Sequence, residues 1–347
     1  MNFENHGPWI RAEGPHHDVV ISSRARVARN MLGFPFVNRA SSLQRREILR
    51  RARDVISESQ LASTEMAWVD LNDASERDRR LLVERHLISK VLSESEIERA
   101  VAISDDESLS IMVNEEDHLR MQMLAPGLQL DRVYEQIDHV DDAIERCMDF
   151  AFSRRWGYLT ACPTNVGTGI RFSVMMHLPA MKLTNEIEKV RRAAKDMHLA
   201  VRGYYGEGSE SAGDFYQISN QLTLGRTESD LLHELQDRIL PKIIDYEHYA
   251  RRQLVERRTT FLEDWIYRAL GLLRSARLLK VDEAMKYLSR VRLGVHLGRL
   301  PDLDPNLVNR LFLQVQPAHL QYEAQRPLSG ESLRAARAAL VRGVLGG

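Results

Sequence analysis

The sequence predicts an α+β fold: a largely antiparallel sheet flanked by helices, followed by a smaller all-α region. Three observations carry that expectation. Short runs rich in β-branched and aromatic residues recur up to about residue 221, and two of them, "AVAIS" and "LSIMVN", are separated only by the turn "DDES". Amphipathic helical patterns are interspersed among these runs. From about residue 229 the pattern is almost wholly helical, with a break at "GRLPDLDP". We therefore expect a mixed domain over residues 1–240 and a helical C-terminal domain over 241–347.

In chain order, "DVVIS" (18–22) is a short strand leading into "SRARVARN". "SSLQRREILRRARDVISESQLA" (41–62) opens on serine caps and then carries apolar residues at helical spacing. "SERDRRLLVERHLIS" (75–89) reads as one helix. "AVAIS", "LSIMVN" and "HLRMQML" read as three consecutive strands. "LDRVYEQIDHVDDAIERCMDFAFS" (130–153) is a helix, and "WGYLTA" and "IRFSVMMHLPA" are strands on either side of the loop "CPTNVGTG". A helix capped by Thr184 or Asn185 follows, then a glycine-rich loop bounded by two strands.

No apolar run approaches the roughly 20 residues of a membrane span. The opening "MNFENHGPWIRAEGP" lacks the basic-then-apolar order of a signal sequence. Two cysteines, Cys147 and Cys162, supply neither a disulfide framework nor a zinc-finger spacing. These features predict a cytoplasmic protein in a reducing setting, with no membrane and no nucleic-acid partner. The net charge of −1 hides an asymmetry. Residues 251–347 hold 17 Lys/Arg and 9 Asp/Glu, whereas residues 1–250 hold 31 and 40. A basic tail on an acidic body suggests different partners for the two parts.

Common phosphate-binding motifs are missing, since no Gly-Lys pair exists for a P-loop, and metal-ligand spacings such as H-E-x-x-H are absent. Isolated arginines stand instead at the edges of strands and loops: Arg24, Arg26, Arg120, Arg171 and Arg202. On an extended segment Arg24 and Arg26 share one face. Several guanidinium groups together suit an anion, because each can grip phosphate oxygens in a fork. Glu115, Glu116 and Asp117 sit consecutively in "NEEDH", and like charges that close raise one another's pKa. Glu210 lies in the glycine-rich loop. Cys162 opens the loop after "WGYLTA" and reads either as a small buried side chain or as a reactive group.

"ISSRARVARN", "NEEDHLR", "CPTNVGTGIR" and "RGYYGEGSESAGDFYQISN", in this order, resemble the ATP:guanido (phosphagen) phosphotransferase family, most nearly its bacterial protein-arginine-kinase branch. The resemblance spans residues 18–228 and continues more weakly into the helical tail. It implies Mg-ATP-dependent phosphoryl transfer to a guanidinium nitrogen. By motif position it implies that Ser22, Arg24, Arg26, Arg120, Arg171 and Arg202 bind the nucleotide. Glu116 would be the catalytic carboxylate, Glu210 the loop acid on the other side of the guanidinium, and Cys162 the active-site cysteine. It further implies protein substrates engaged through arginine side chains, a homodimer, an activator protein and links to stress response and the Clp protease system. Small-guanidine kinases of the family carry a helical domain before the first motif. Here that motif begins at residue 22, so we expect a more open site. The alternatives are a kinase of a small free guanidino compound, or a non-catalytic adaptor binding a transcriptional or stress regulator. One departure stands out. Protein arginine kinases carry an R-D-x-x-R-A motif tied to phosphoarginine feedback, where this chain has "LRAARA" (333–338). Leu333 and Arg334 replace the first Arg and the Asp, so we expect that feedback to be weakened or absent.

Overall fold

Alternation decides which face of the sheet is hidden and which is left open. The computed structural model describes residues 7–59, 61, 66–197, 199–204 and 212–346. The strands in these segments are β1 (Val20–Arg29), β2 (Met66–Asp70), β3 (Ala100–Ser104), β4 (Leu109–Val113), β5 (Leu119–Pro126), β6 (Phe152–Ser153), β7 (Gly157–Tyr158), β8 (Ile170–His177), β9 (Leu199–Arg202) and β10 (Phe215–Asn220). Eight of them form one sheet in the order β2-β3-β4-β5-β1-β8-β10-β9, antiparallel at every pairing. β6 and β7 form a separate small ribbon.

In the central strand β1, Ile21, Ser23, Ala25 and Val27 point one way, and Ser22, Arg24 and Arg26 the other. The helix Leu130–Glu145 packs across β1 and β5. It buries Leu130, Val133, Ile137, Val140 and Ile144, which recur every three or four residues along one stripe. Each such side chain contributes about 1.5–3 kcal/mol when buried. The arginine-bearing face is therefore the one this helix leaves uncovered.

The C-terminal region is helical, from Glu228–His233 to Gly330–Leu345. Its apolar residues join the sheet's core in a single cluster that reaches from Trp9 to Leu345. A buried polar network reinforces the contact. The fully buried Arg292 donates to the carbonyls of His17 and Asp18, to Asn309 Oδ1 and to His177 Nδ1. Arg251 pairs with both Asp18 and Glu247.

Several elements depart from the sequence expectation. The helix expected over 75–89 splits into Glu76–Glu84 and Lys90–Glu94, because His86 adopts φ 59° between them. The helix expected to reach 153 stops at Glu145. Beyond it the chain is drawn to the end of β1, where Leu32 N bonds Asp149 O and Ala151 N bonds Asn30 O. "WGYLTA" shrinks to the two residues of β7. There Gly157 has φ 75°, and a Cβ on it would stand 2.5 Å from Gly167 O. β2 has no counterpart in the sequence reading. It is an edge strand whose burial does not alternate, so it lacks the period-two signature.

Candidate active site

The ladder register gathers the arginines. Arg26 on β1 lies directly opposite Arg171 on β8, and Arg24 lies opposite Ser173. On the other side Arg26 faces Gln122 of β5, and Arg120 lies two residues from Gln122 on the same face. Arg202 on β9 is paired with Gln217 of β10. Arg24, Arg26, Arg120, Arg171 and Arg202 all line one cleft of about 1460 Å³, together with Glu115, Glu116, Cys162 and His86. Ser22 lies deeper along the same face. It lines a small hollow of about 20 Å³ beside Arg24 and His86 and is not part of the larger cleft's wall. Glu210 falls outside the described residues.

So much positive charge in one place is costly. Burial, and then the charges of Arg120, Arg171 and Arg202, push the Arg24 guanidinium down to about 9. Burial and the same kind of repulsion, led by Arg24, hold Arg26 well below its ordinary value. Arg26 Nε has no hydrogen-bond partner among the described residues. A guanidinium does not deprotonate in practice. Like charges crowded on one face repel, and an anion bound among them would relieve that repulsion.

One arginine is compensated within the fold. Burial opposes the charge of Arg120, but Glu115, Glu116 and Asp117 outweigh it and raise its pKa. Glu115 is bound to Arg120 and accepts the Ser89 hydroxyl at 2.6 Å. Burial would lift Glu115, yet the Arg120 charge and these bonds hold it below its ordinary value. Glu116 behaves differently. It is exposed to the cleft and forms no ion pair among the described residues. Partial burial, and then the negative charge of Glu115, raise its pKa. Of the three consecutive acids, Glu116 is thus the strongest base with an open side.

Asp117 explains how Glu116 and Cys162 come together. It is buried and accepts Asn30 Nδ2 at 2.6 Å and the Ala161 backbone N–H at 2.7 Å. Ala161 precedes Cys162, so one carboxylate fixes the turn carrying Glu116 to the loop carrying the thiol. Asn30 also donates to Leu159 O and accepts from His118 N. Cys162 is half-buried, with Sγ 3.1 Å from Thr164 Oγ1. The loop behind it hangs on Arg29. That guanidinium pairs with Asp141 at 2.5 Å, donates to Thr168 O at 2.8 Å and stacks 3.4 Å from the Tyr158 ring centroid. A Cβ on Gly169 would lie 2.6 Å from Arg29 Nη1, so the loop closes on this arginine only with glycine there.

Sequence reasoning did not single out His86, Asn30 or Arg29. His86 lines the cleft, and burial followed by the Arg24 charge pushes its imidazole down to about 3, so it stays neutral. Within "VERHLIS" it carries no sign of the turn that aims it. Asn30 and Arg29 end the "SSRARVARN" run, and nothing in that run distinguishes them from solvated residues.

Chemically, one wall offers a surface suited to an oxyanion-rich group, and a carboxylate and a thiol stand at its border. A second hollow of about 480 Å³ shares Glu115, Glu116 and Cys162 with the cleft and is lined by none of its five arginines. The arrangement suits transfer of an anionic group toward a cationic acceptor.

Comparisons agree with that reading. The profile of the ATP:guanido phosphotransferase C-terminal catalytic domain matches residues 47–250. The profile of the protein-arginine kinase McsB C-terminal domain matches residues 259–347. A protein-arginine kinase of Symbiobacterium thermophilum is 46% identical over 96% of this chain and 95% of its own length. That of Bacillus subtilis is 42% identical over 96% and 92%. Among solved structures, the duplicated taurocyamine kinase of Schistosoma mansoni with bound transition state analog components aligns with TM-score 0.60 and 30% identity. The alignment covers 68% of this chain and 34% of that longer one. A lombricine kinase shares the fold at TM-score 0.58 and 24% identity, covering 72% and 73%. The chain belongs to the ATP:guanido phosphotransferase family.

Proposed function

We propose that this protein is a protein-arginine kinase, moving the γ-phosphoryl group of ATP to the guanidinium of arginine side chains in proteins. The observation that carries the reading is the meeting of two hollows at Glu116 and Cys162: an arginine-walled cleft for the nucleotide and a second opening for the acceptor. In this reading Arg24, Arg26, Arg120, Arg171 and Arg202 clamp the phosphates and Ser22 supports them from the adjoining hollow. Among the described residues no group of three or more His, Cys, Asp or Glu could hold a metal. Mg²⁺, when bound, would supply charge neutralisation on the nucleotide phosphates.

A guanidinium is a poor nucleophile because its lone pairs are delocalised and it is protonated. Glu116 orients one acceptor nitrogen and takes its proton as the P–N bond forms and the bond from phosphorus to the ADP oxygen breaks. The arginine wall neutralises the transferring group throughout. Cys162 adds a polarisable group beside the acceptor cation without becoming a nucleophile. Glu210 would hold the far side of the guanidinium. No described helix is long and apolar enough to cross a membrane, and we place the enzyme in the cytoplasm. We assign residues 1–240 to catalysis and the helices of 241–347 to dimerisation or to binding a regulator.

The test is acceptor choice. Mg-ATP turnover should depend on an unfolded, arginine-containing protein and not on free arginine or creatine. Turnover with a free guanidine and none with protein would reassign the enzyme to small acceptors.

A further inference from the structure

The hollow on the acceptor side has walls that the phosphoryl-transfer reading leaves unused. Besides Glu115, Glu116, Ala161 and Cys162 it is lined by Val37, Asn38, Arg45 and Ile97. Its volume of about 480 Å³ suits a small-ligand or side-chain pocket. Its charges are already committed, with one exception. Arg45 pairs with Glu98 at 2.9 Å and donates to Ala40 O at 2.5 Å. Glu115 is bound to Arg120. Glu116 alone is left to receive a cation, and it stands where this hollow meets the arginine cleft.

The rest of the lining changes character outward. Val37 is buried and Ile97 half-buried, two branched aliphatic walls. Asn38 is exposed, and its amide hydrogen-bonds to no other described residue. An arginine side chain has the same order of chemistry: a cationic head, an apolar three-carbon stem, then a peptide backbone with one donor and one acceptor per residue. An asparagine amide offers a matching acceptor and donor.

We propose that this hollow is the acceptor-chain subsite, with Val37 and Ile97 enclosing the arginine stem and Asn38 hydrogen-bonding the peptide backbone beside it. Asn38 is then a specificity-determining residue that separates a polypeptide arginine from a free guanidine. The assignment rests on the protein-arginine reading above and adds to it the residues that read the polypeptide.

The experiment uses the full chain and a capped Gly-Arg-Gly peptide, with two analogues N-methylated at the arginine amide or at the following amide. Asn38→Ala should lower kcat/KM for the parent peptide about five- to tenfold, the value of one hydrogen bond. The KM for Mg-ATP should not change. One N-methyl analogue should lose a similar factor with the unsubstituted enzyme and lose nothing more with Asn38→Ala. Ile97→Ala should weaken all three peptides alike. An Asn38→Ala enzyme with unchanged activity on the parent peptide would overturn the proposal, as would an equal loss on all three peptides. An unsubstituted enzyme that ignores the parent peptide yet phosphorylates agmatine would instead sink the protein-arginine reading itself.

Discussion

Glu116 and Arg26 show what single residues contribute. The raised pKa of Glu116 makes it a better base than an ordinary glutamate, whose value is about 4.3. Only the deprotonated form accepts the acceptor's proton, so activity falls as pH drops through that pKa. The acid limb of kcat/KM should therefore lie above about 4.3, and a pH profile of initial rates checks it. Arg26 is the opposite case, a half-buried cation crowded by the charges of Arg24, Arg120 and Arg171. Arg26→Met should raise the melting temperature of the nucleotide-free protein by about 2 °C. The same change should weaken Mg-ATP binding, so the stabilisation that Mg-ATP confers should shrink. Calorimetric melts with and without nucleotide measure both effects. A lower melting temperature for the nucleotide-free variant would show that Arg26 supports the fold.

Elements bring these residues together, and much of that was legible in the sequence. The two-residue spacing of Arg24 and Arg26 placed them on one strand face, and β1 carries them so. "NEEDH" announced repelling acids, and burial and then the Glu115 charge raise the pKa of Glu116. Burial would also lift Glu115, but the Arg120 charge and hydrogen bonds hold it below its ordinary value, against that expectation. What the sequence hid was long-range. Asp117 reaches Asn30 across 87 positions and Ala161 across 44, and no local pattern encodes either bond. The same holds for Arg29, which spans 112 positions to Asp141. Breaking that pair leaves a buried guanidinium without its carboxylate. Asp141→Ala should destabilise the protein by about 3–5 kcal/mol, readable by denaturant titration. Because the Cys162 loop hangs on Arg29, the variant should also lose kcat more than affinity for Mg-ATP. A loss under about 1 kcal/mol would mean that Thr168 O and the Tyr158 ring hold Arg29 without help.

At the scale of the whole molecule, the helical tail is joined to the sheet by a shared core and by Arg292 and Arg251. Near its end, Arg337 is buried and donates to Val315 O at 2.6 Å and Leu279 O at 2.9 Å. It ties helices together, and neighbouring Arg334 stands where the feedback motif has an acid. Free phosphoarginine at micromolar concentration should therefore fail to stimulate turnover of the full-length enzyme. Stimulation at that concentration would show a feedback site that tolerates the changed motif.

In the proposed mechanism the arginine wall and Glu116 act together to phosphorylate protein arginines. Its most direct test is mass spectrometry of an unfolded protein incubated with enzyme and Mg-ATP, under non-acidic handling that preserves the P–N bond. Glu116→Gln, which keeps the side chain's shape but removes its basicity, is the control. Phosphoarginine should appear with the unsubstituted enzyme and drop by about 10²-fold or more with the variant. Equal phosphoarginine from both enzymes, or none from either, would contradict the claim.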